Sequence, residues 1–563
     1  MNEPSDRTRR VALALYALCT LLVFPHELPG GGSIDLGLLI VWLVPAALAI
    51  GIEGRSVREA GWAAFLASLA GHVLLFHWFY VVTVSYGGMP AWLGFLSPLV
   101  PAFWVSLFSA LFAMGWAQLR IAGRDSIPIG AALWVVVDWA RAHFLGGFPW
   151  ATLGYGLHLD IPLLGLTRWS GVYGLSFLAT GMGLALARAY CTRSREALRA
   201  VLVAIVVIAL CHGIGAWLQS RPMEDVRLVR IAAIQGNIEQ GQKWDEAGRN
   251  RILEKYLGLS ESALEQGAEW IVWPETAVPG LIELDPVLAD RLGLFASQHG
   301  IPLFVGGMGV APDRGDLRIG SFYDSAFVFD RRGELVDRYD KTSLVPFGEF
   351  VPLRGLFGRF FKAIATGLSS SDVSAGPGPR SLQWWDADDG AAPLRVAMPI
   401  CYELLFPHVV RRFGADGVGV MLAITNDAWY GRTGAPHQFL AMTAMRAAEN
   451  GRWVVRAANT GFSAIIDHRG GVRERSRLFE DAVVIGEVPV LLGQEPTFYA
   501  RFGDVFASIC CLAVLAVVGQ STYEERRRRT GFGADPVTKS SAEDRRGLST
   551  GTFDENMGEG RQR

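Results

Sequence analysis

Eight stretches of the chain, near residues 11–25, 36–51, 59–83, 91–117, 127–143, 164–190, 197–219 and 498–519, are apolar almost without interruption. Several approach or exceed the ~20 residues that carry a helix across a bilayer, and all eight are predicted as transmembrane helices. The first is short enough to pass for a signal peptide. No small-residue cleavage site follows it and further spans do, so it reads as a retained helix. From residue 226 the pattern changes to short runs of strand character separated by helical periodicity. VRLVRIAAIQ reads as a strand, residues 245–266 as a helix, EWIVW as a strand, residues 285–299 as a helix and IPLFVGG as a strand. SFYDSAFVFD and LVDRYD, joined by RRGE, form a hairpin. VGVMLAITN, a helix over residues 437–450, RWVVRAAN, the hairpin GFSAIIDHRGG and the strand DAVVIGEVPV follow. Strands alternating with helices predict a layered α/β domain, and the added hairpins predict two sheets packed face to face between helices. The expected organisation is seven transmembrane helices in residues 1–220, an inserted α/β domain in 221–496, an eighth helix in 497–520 and a polar tail in 521–563.

Composition supports the membrane reading: 18 tryptophans, 31 phenylalanines and a mean hydropathy of +0.27 do not suit a large soluble enzyme. The net charge of -2 gives no reason to expect a nucleic-acid partner. Arginine placement orients the chain. Arg7, Arg9 and Arg10, then Arg55 and Arg58, Arg120 and Arg124, Arg188 to Arg199, and Arg526 to Arg529 occupy alternate connections, whereas loops 26–35, 84–90 and 144–163 carry no Lys or Arg. Basic loops stay cytoplasmic, so the inserted domain is expected on the opposite side. The tail, beginning EERRRR, is predicted to be cytoplasmic and disordered.

Candidate chemistry centres on LRVAMPICYELLFP. An apolar run over residues 394–400 stops at Cys401, and helical periodicity resumes near Phe406, which makes a strand-to-helix elbow. A cysteine is more often a small buried hydrophobe than a nucleophile. The other five, Cys19, Cys191, Cys211, Cys510 and Cys511, lie in or beside apolar segments, and Cys401 alone sits in the α/β region. The following helix is expected to favour its thiolate. His408 is near in sequence but has no catalytic company, whereas Glu275 ends one strand (EWIVWPET) and Lys341 ends another (RYDKTSLVPFGEFVP). No zinc-type spacing, phosphate loop or dinucleotide fingerprint occurs, so neither a metal nor a cofactor is expected.

The series QGNIEQGQKW, WPET, YDKTSLVPFGEFVP, PICYE and TNDAWYG, set between the seventh and eighth of eight predicted spans, resembles the apolipoprotein N-acyltransferase family, a membrane branch of the nitrilase superfamily. The resemblance implies a polytopic α-helical membrane domain with an inserted αββα nitrilase-like sandwich. It implies transfer of an acyl chain from a membrane phospholipid, through a Cys401 thioester, to the α-amino group of the N-terminal diacylglyceryl-cysteine of an apolipoprotein. The place is the bacterial inner membrane, with the sandwich facing the periplasm. Carried over residue by residue, Glu275 is the base, Lys341 the positive group near the oxyanion and Cys401 the nucleophile. Glu349, Tyr402 and Glu403 support them, and Trp244 and Trp429 match family tryptophans that contact acyl chain or head group.

Two further features bear on lipid. The loop HFLGGFPWATLGYGLH reads either as an interfacial aromatic belt or as a portal lined by Phe148, Pro149 and Trp150. Arg141, just inside the fifth span, either snorkels or holds an anionic group. Residues 351–368, VPLRGLFGRFFKAIATGL, read as an amphipathic interfacial arm. The alternative function is a membrane-tethered amidase that passes the acyl group to water, for which the same triad would serve.

Overall fold

The computed structural model describes residues 4–239, 246–312, 319–346, 348–350, 373–384, 394–493 and 495–529. Trp244, the 351–368 arm and the tail beyond residue 529 lie outside them. Met1–Val514 form one compact unit and Leu515–Arg563 a second, in which the helical run continues to Arg529.

Among the described residues a helix lies on each of the eight apolar stretches: α1 (Asp6–Leu22), α2 (Leu43–Ile52), α3 (Val57–Leu75), α4 (Leu99–Ile121), α5 (Ile127–His143), α6 (Val172–Thr192), α7 (Arg195–Gln219) and, after the α/β domain, Val505–Arg529. Four helical runs among the described residues, Ala91–Ile121, Val172–Thr192, Arg195–Gln219 and Val505–Glu524, are long and apolar enough to span a bilayer by length and composition. α7 shows why: only 11% of its most apolar window is buried, so its leucines and valines face outward, as lipid contact requires. Other elements are shorter than the apolar pattern suggested. α3 starts at a capping box of Ser56 and Glu59 but stops at Leu75, and the stretch ends in a π turn, Val81–Tyr86. A π turn widens a helix locally and is common at functional positions.

The α/β domain contains strands β1 (Val226–Gln235), β2 (Trp270–Val272), β3 (Leu303–Pro312), β4 (Ile319–Phe329), β5 (Leu335–Asp340), β6 (Leu382–Trp384), β7 (Leu394–Ala397), β8 (Val420–Thr425), β9 (Val454–Ala458), β10 (Ala464–Ile466), β11 (Val472–Arg475) and β12 (Ala482–Leu491). They form two six-stranded sheets, ordered β12-β1-β2-β3-β4-β5 and β11-β10-β9-β8-β7-β6. Each has three parallel strands at its centre and antiparallel strands outside, β1-β2-β3 in one and β7-β8-β9 in the other. The central strands are apolar without alternation because both of their faces are covered; every residue of β8 and of β9 is buried.

Helices α8 (Glu246–Glu265) and α9 (Pro286–His299) pack with the first sheet around a core that includes Tyr256, Trp273, Leu292 and Phe327. Helices α10 (Pro407–Ala415) and α11 (Gly434–Asn450) belong with the second sheet, and α11 also meets the membrane half. All of its residues are buried. The αββα sandwich expected from the sequence is therefore present, with one outer helix pressed on the transmembrane bundle. The three-residue strand β6 was not foreseen, being too short to show a period.

Candidate active site

Parallel sheets place the carboxyl ends of their strands at one edge, where turns can project side chains together. Glu275 follows β2, Lys341 follows β5, Cys401 follows β7 and Asn426 follows β8. Gly306 on β3 makes room for the first of these: a Cβ there would meet the Pro274 carbonyl oxygen at 2.3 Å and the Glu275 Cα at 2.7 Å.

Lys341 is the centre of the cluster. Its ammonium has no exposed surface and donates to Glu275 Oε1 at 2.9 Å, Asp324 Oδ2 at 3.2 Å and Glu349 Oε1 at 2.5 Å. Those are all three of its N–H groups. Burial works against the charge, but Glu275, Glu349 and Asp324 together hold the Lys341 pKa well above its ordinary value. Oxygens of the three carboxylates lie within 4.8 Å of one another, a spacing that suits a bound cation, and the cation there is the lysine.

One ammonium cannot neutralise three carboxylates in a site that excludes water. The geometry indicates which carboxyl keeps a proton. Glu349 Oε2 accepts the Val345 N–H at 2.9 Å in addition to its lysine bond. Asp324 accepts only the longest of the three lysine bonds, and no donor reaches its Oδ1. Burial and the neighbouring Glu275 charge push Asp324 well above the carboxylate range. Glu275 goes the other way: burial would raise it, but Lys341, with hydrogen bonds from Asp324 and Cys401, holds it below its ordinary value. The pair is thus a neutral aspartic acid beside an ionised glutamate. Sequence reading missed Asp324; the available signal was an acidic residue in the middle of an apolar strand, SFYDSAFVF.

Cys401 is buried and has a left-handed backbone, φ +46°, a strained conformation for a non-glycine residue. Its thiol is a hydrogen-bond donor to Glu275, and the Asn426 backbone N–H points to the sulfur. The sequence led us to expect a helix N-terminus that favours the thiolate. Instead Cys401–Leu405 form a 3-10 turn, and α10 begins only at Pro407. Burial, and then the Glu275 charge, raise the thiol pKa well above its ordinary value, with Lys341 opposing. Cys401 rests as a thiol with a carboxylate placed to take its proton.

Glu403 lies outside this cluster. It accepts hydrogen bonds from the Tyr339 hydroxyl (2.7 Å), Thr342 N–H (2.7 Å), Thr342 Oγ1 (2.9 Å) and Ile400 N–H (2.8 Å). It ties the turn after β5 to the Cys401 elbow. Tyr402 is buried edge-on against Phe406, ring centroids 5.1 Å apart.

The remaining candidates lie at the membrane junction. Trp150 is buried, donates its indole N–H to Gln438 on α11 at 2.8 Å, and packs beside Trp78 and Tyr430. Trp429 meets Tyr86 of the π turn edge-on at 5.2 Å. Arg141 does not snorkel: it is buried, and the anionic group it holds is Asp138 of its own helix (3.0 Å), with Thr152 Oγ1 (3.1 Å) and the Trp150 carbonyl (3.0 Å) as further partners. That ion pair braces the aromatic loop from inside the bundle. His408 stacks on His143 with ring centroids 4.4 Å apart, away from the cluster.

The sandwich and its strand-end cluster define a carbon–nitrogen-hydrolase-type catalytic domain carried by a membrane protein. Residues 230–495 match the carbon-nitrogen hydrolase family model, and residues 17–185 match that of the apolipoprotein N-acyltransferase N-terminal domain. The chain is 34% identical over 496 residues to the apolipoprotein N-acyltransferase of Geobacter metallireducens, covering 86% of this chain and 91% of that protein. It is 34% identical over 533 residues to that of Pseudomonas syringae pv. tomato, covering 91% and 96%. Among solved structures, an amidase from Nesterenkonia sp. is similar at 19% identity, covering 46% of this chain and 90% of that one, with a TM-score of 0.34. The chain belongs to the apolipoprotein N-acyltransferase family.

Proposed function

We propose that the protein transfers an acyl chain from a membrane phospholipid to the α-amino group of the N-terminal diacylglyceryl-cysteine of an apolipoprotein, by way of a Cys401 thioester. One observation supports this reading above the rest. The turn Asp427–Tyr430, which directly follows the amide pointing at Cys401, packs through Tyr430 on Trp78 and Trp150 and through Trp429 on Tyr86. The nucleophile therefore sits beside membrane-domain aromatics, where an acyl ester would arrive from the bilayer.

In the first half-reaction the Cys401 sulfur attacks the ester carbonyl while its proton passes to Glu275. The tetrahedral oxyanion collapses, the C–O bond breaks, and Glu275 returns the proton to the departing lysophospholipid oxygen. Lys341 has no N–H to spare for the oxyanion, so it acts through its charge and by holding Glu275. The donor is the Tyr402 backbone N–H that follows the nucleophile, and such a donor contributes ~3–4 kcal/mol. In the second half-reaction the α-amine attacks the thioester, its proton passes through Glu275 to the sulfur, and the amide leaves. Glu349, by fixing Lys341, is a positioning residue. The arginine pattern supports an inner-membrane location with the sandwich in the periplasm.

The test is mass spectrometry of the purified protein incubated with phospholipid alone. Cys401 gains one acyl mass, lysophospholipid appears in about equal amount with little free fatty acid, and a diacylated lipopeptide with a free α-amine discharges the enzyme. Steady fatty-acid release without acceptor would replace this reading with the hydrolase.

A further inference from the structure

A second site lies where the membrane half meets the β10–β11 hairpin, and it shares no residue with the cluster around Cys401. Arg168, in the short Thr167–Ser170 turn, donates to the Leu218 carbonyl at the end of α7 (3.3 Å) and to the His468 carbonyl in the hairpin (3.2 Å). These two bonds bring two more arginines alongside. Arg221, just beyond α7, stacks on Trp217 with its guanidinium carbon 4.5 Å from the ring centroid. Arg469 follows His468.

None of the three has a carboxylate within salt-bridge distance among the described residues. Asp467, the nearby acid, is already paired with Arg473 at 2.5 Å and accepts the Arg469 and Gly471 backbone N–H groups. Around this point buried nitrogens lack partners: Arg168 Nε, Gln219 Nε2, Trp453 Nε1, Arg469 Nε and both ring nitrogens of His468. Gln219 is only 4% exposed. Buried polar atoms are nearly always paired, and all of these except one imidazole nitrogen are donors. Burial and then Arg168 hold His468 at about 4, so it adds one N–H and no charge. Such a set matches a multi-oxygen anion.

The surroundings identify which anion. Trp169 and Trp217 beside the arginines are 51% and 55% exposed, as interfacial tryptophans are. The arginines lie at the sandwich end of α7, the side from which loops 26–35, 84–90 and 144–163 exclude basic residues. We propose that Arg168, Arg221 and Arg469, flanked by Trp169 and Trp217, bind the phosphate of an anionic phospholipid headgroup in the leaflet next to the sandwich. Arginine forks match phosphate oxygens, and basic pockets between transmembrane helices suit anionic headgroups. Asp467, the acid beside Arg168, is already taken by Arg473, which disfavours the ammonium of a zwitterionic lipid there. The site stands whether or not Cys401 takes an acyl chain.

The experiment uses full-length protein in mixed micelles with phosphatidylglycerol that carries a photoactivatable diazirine high on one acyl chain. Cross-linked peptides are mapped by mass spectrometry, so labelling near Cys401 is counted separately. Peptides containing Trp169 and Trp217 are labelled more strongly than by the phosphatidylcholine analogue. That labelling falls about fivefold for each arginine replaced in Arg221→Gln and Arg469→Gln, returns with Arg221→Lys, and is untouched by millimolar glycerol phosphate. Equal labelling by the two lipids in the unmodified protein, or no loss in the variants, would show that the arginines only tether the hairpin. Competition by glycerol phosphate would assign the site to a soluble anion and overturn the lipid.

Discussion

Glu403 accepts the Tyr339 hydroxyl at 2.7 Å, a bond that crosses from the turn behind the nucleophile to the edge strand of the other sheet. With Thr342 and Ile400 it fixes the distance between the segment that ends in Lys341 and the segment that presents Cys401. Glu403→Ala strands several buried donors at 1–3 kcal/mol each, so we expect a loss of ~3 kcal/mol or more. Glu403→Gln keeps the size and one acceptor oxygen, and loses less stability but still most activity. Thermal unfolding and acylation rates of both variants check this; equal activity of Glu403→Gln and the parent would show that the clamp is dispensable.

Asp324 and Glu275 separate cleanly under amide substitution. If Asp324 is a neutral acid, Asp324→Asn replaces one neutral donor with another, and acylation of Cys401 should stay within about threefold of the parent. Glu275→Gln removes the base and should slow acylation by about 10²–10⁴-fold. A large loss in Asp324→Asn would show that its carboxylate is ionised in the working enzyme. Asp324→Leu, which removes the donor, is expected to be slow.

The two reacting groups also predict a pH profile for acylation without acceptor. Glu275 must be ionised, and its folded pKa is depressed, so activity is lost only as pH falls through a value below its ordinary 4.5. Cys401 reacts as a thiol, and its pKa is raised above its ordinary 9.0. Acylation should therefore be level between about pH 5.5 and 8.5, with no alkaline rise of the kind that a titrating free thiolate gives. A rate increasing tenfold per pH unit across that range would contradict the base assignment.

Gly306→Ala tests placement without touching any reacting group. Its added methyl collides with backbone around Glu275 rather than with a flexible side chain, so the loop has to shift. A 1 Å displacement of a base can cost about 10²-fold. Acylation is expected to fall by that order while β3 and its sheet stay folded by circular dichroism.

Much of the site was legible in the sequence because its parts stand at strand ends in short, distinctive strings. Glu275, Lys341, Glu349 and Cys401 are separated along the chain, but two sheets with parallel centres deliver strand ends to one edge, and the structure brings the four together. Asp324 was not legible: it lies inside a strand, and only the pairing of β4 with β5, Lys341 N–H to Asp324 carbonyl at 2.9 Å, turns it toward the lysine. The thiol's protonation state was misread because a 3-10 turn and a helix look alike in hydrophobic pattern, yet only the helix supplies a dipole. Arg141 and Trp150 showed the same limit at the membrane junction. The pattern left each with two readings, and only tertiary packing supplies their polar partners, Asp138 and Thr152 for the arginine and Gln438 for the indole.

The helix buried along its whole length, α11, takes nearly all its named polar partners from chain that the ribosome has already made. Glu27 pairs with His437; the Pro25 carbonyl and the Trp150 indole bond Gln438; Tyr155 bonds Arg446; and the Val172 N–H bonds Glu449. The N-terminal helical half can thus be a finished mould before α11 emerges, and the sandwich can be cast against it from that side. Detached from that mould, the sandwich would lose the partners of His437, Gln438, Arg446 and Glu449 and uncover a helix that is now buried along its whole length, so it is expected to be much less stable as a separate fragment. In this protein the bilayer-bound half is a template for the catalytic half as well as its anchor.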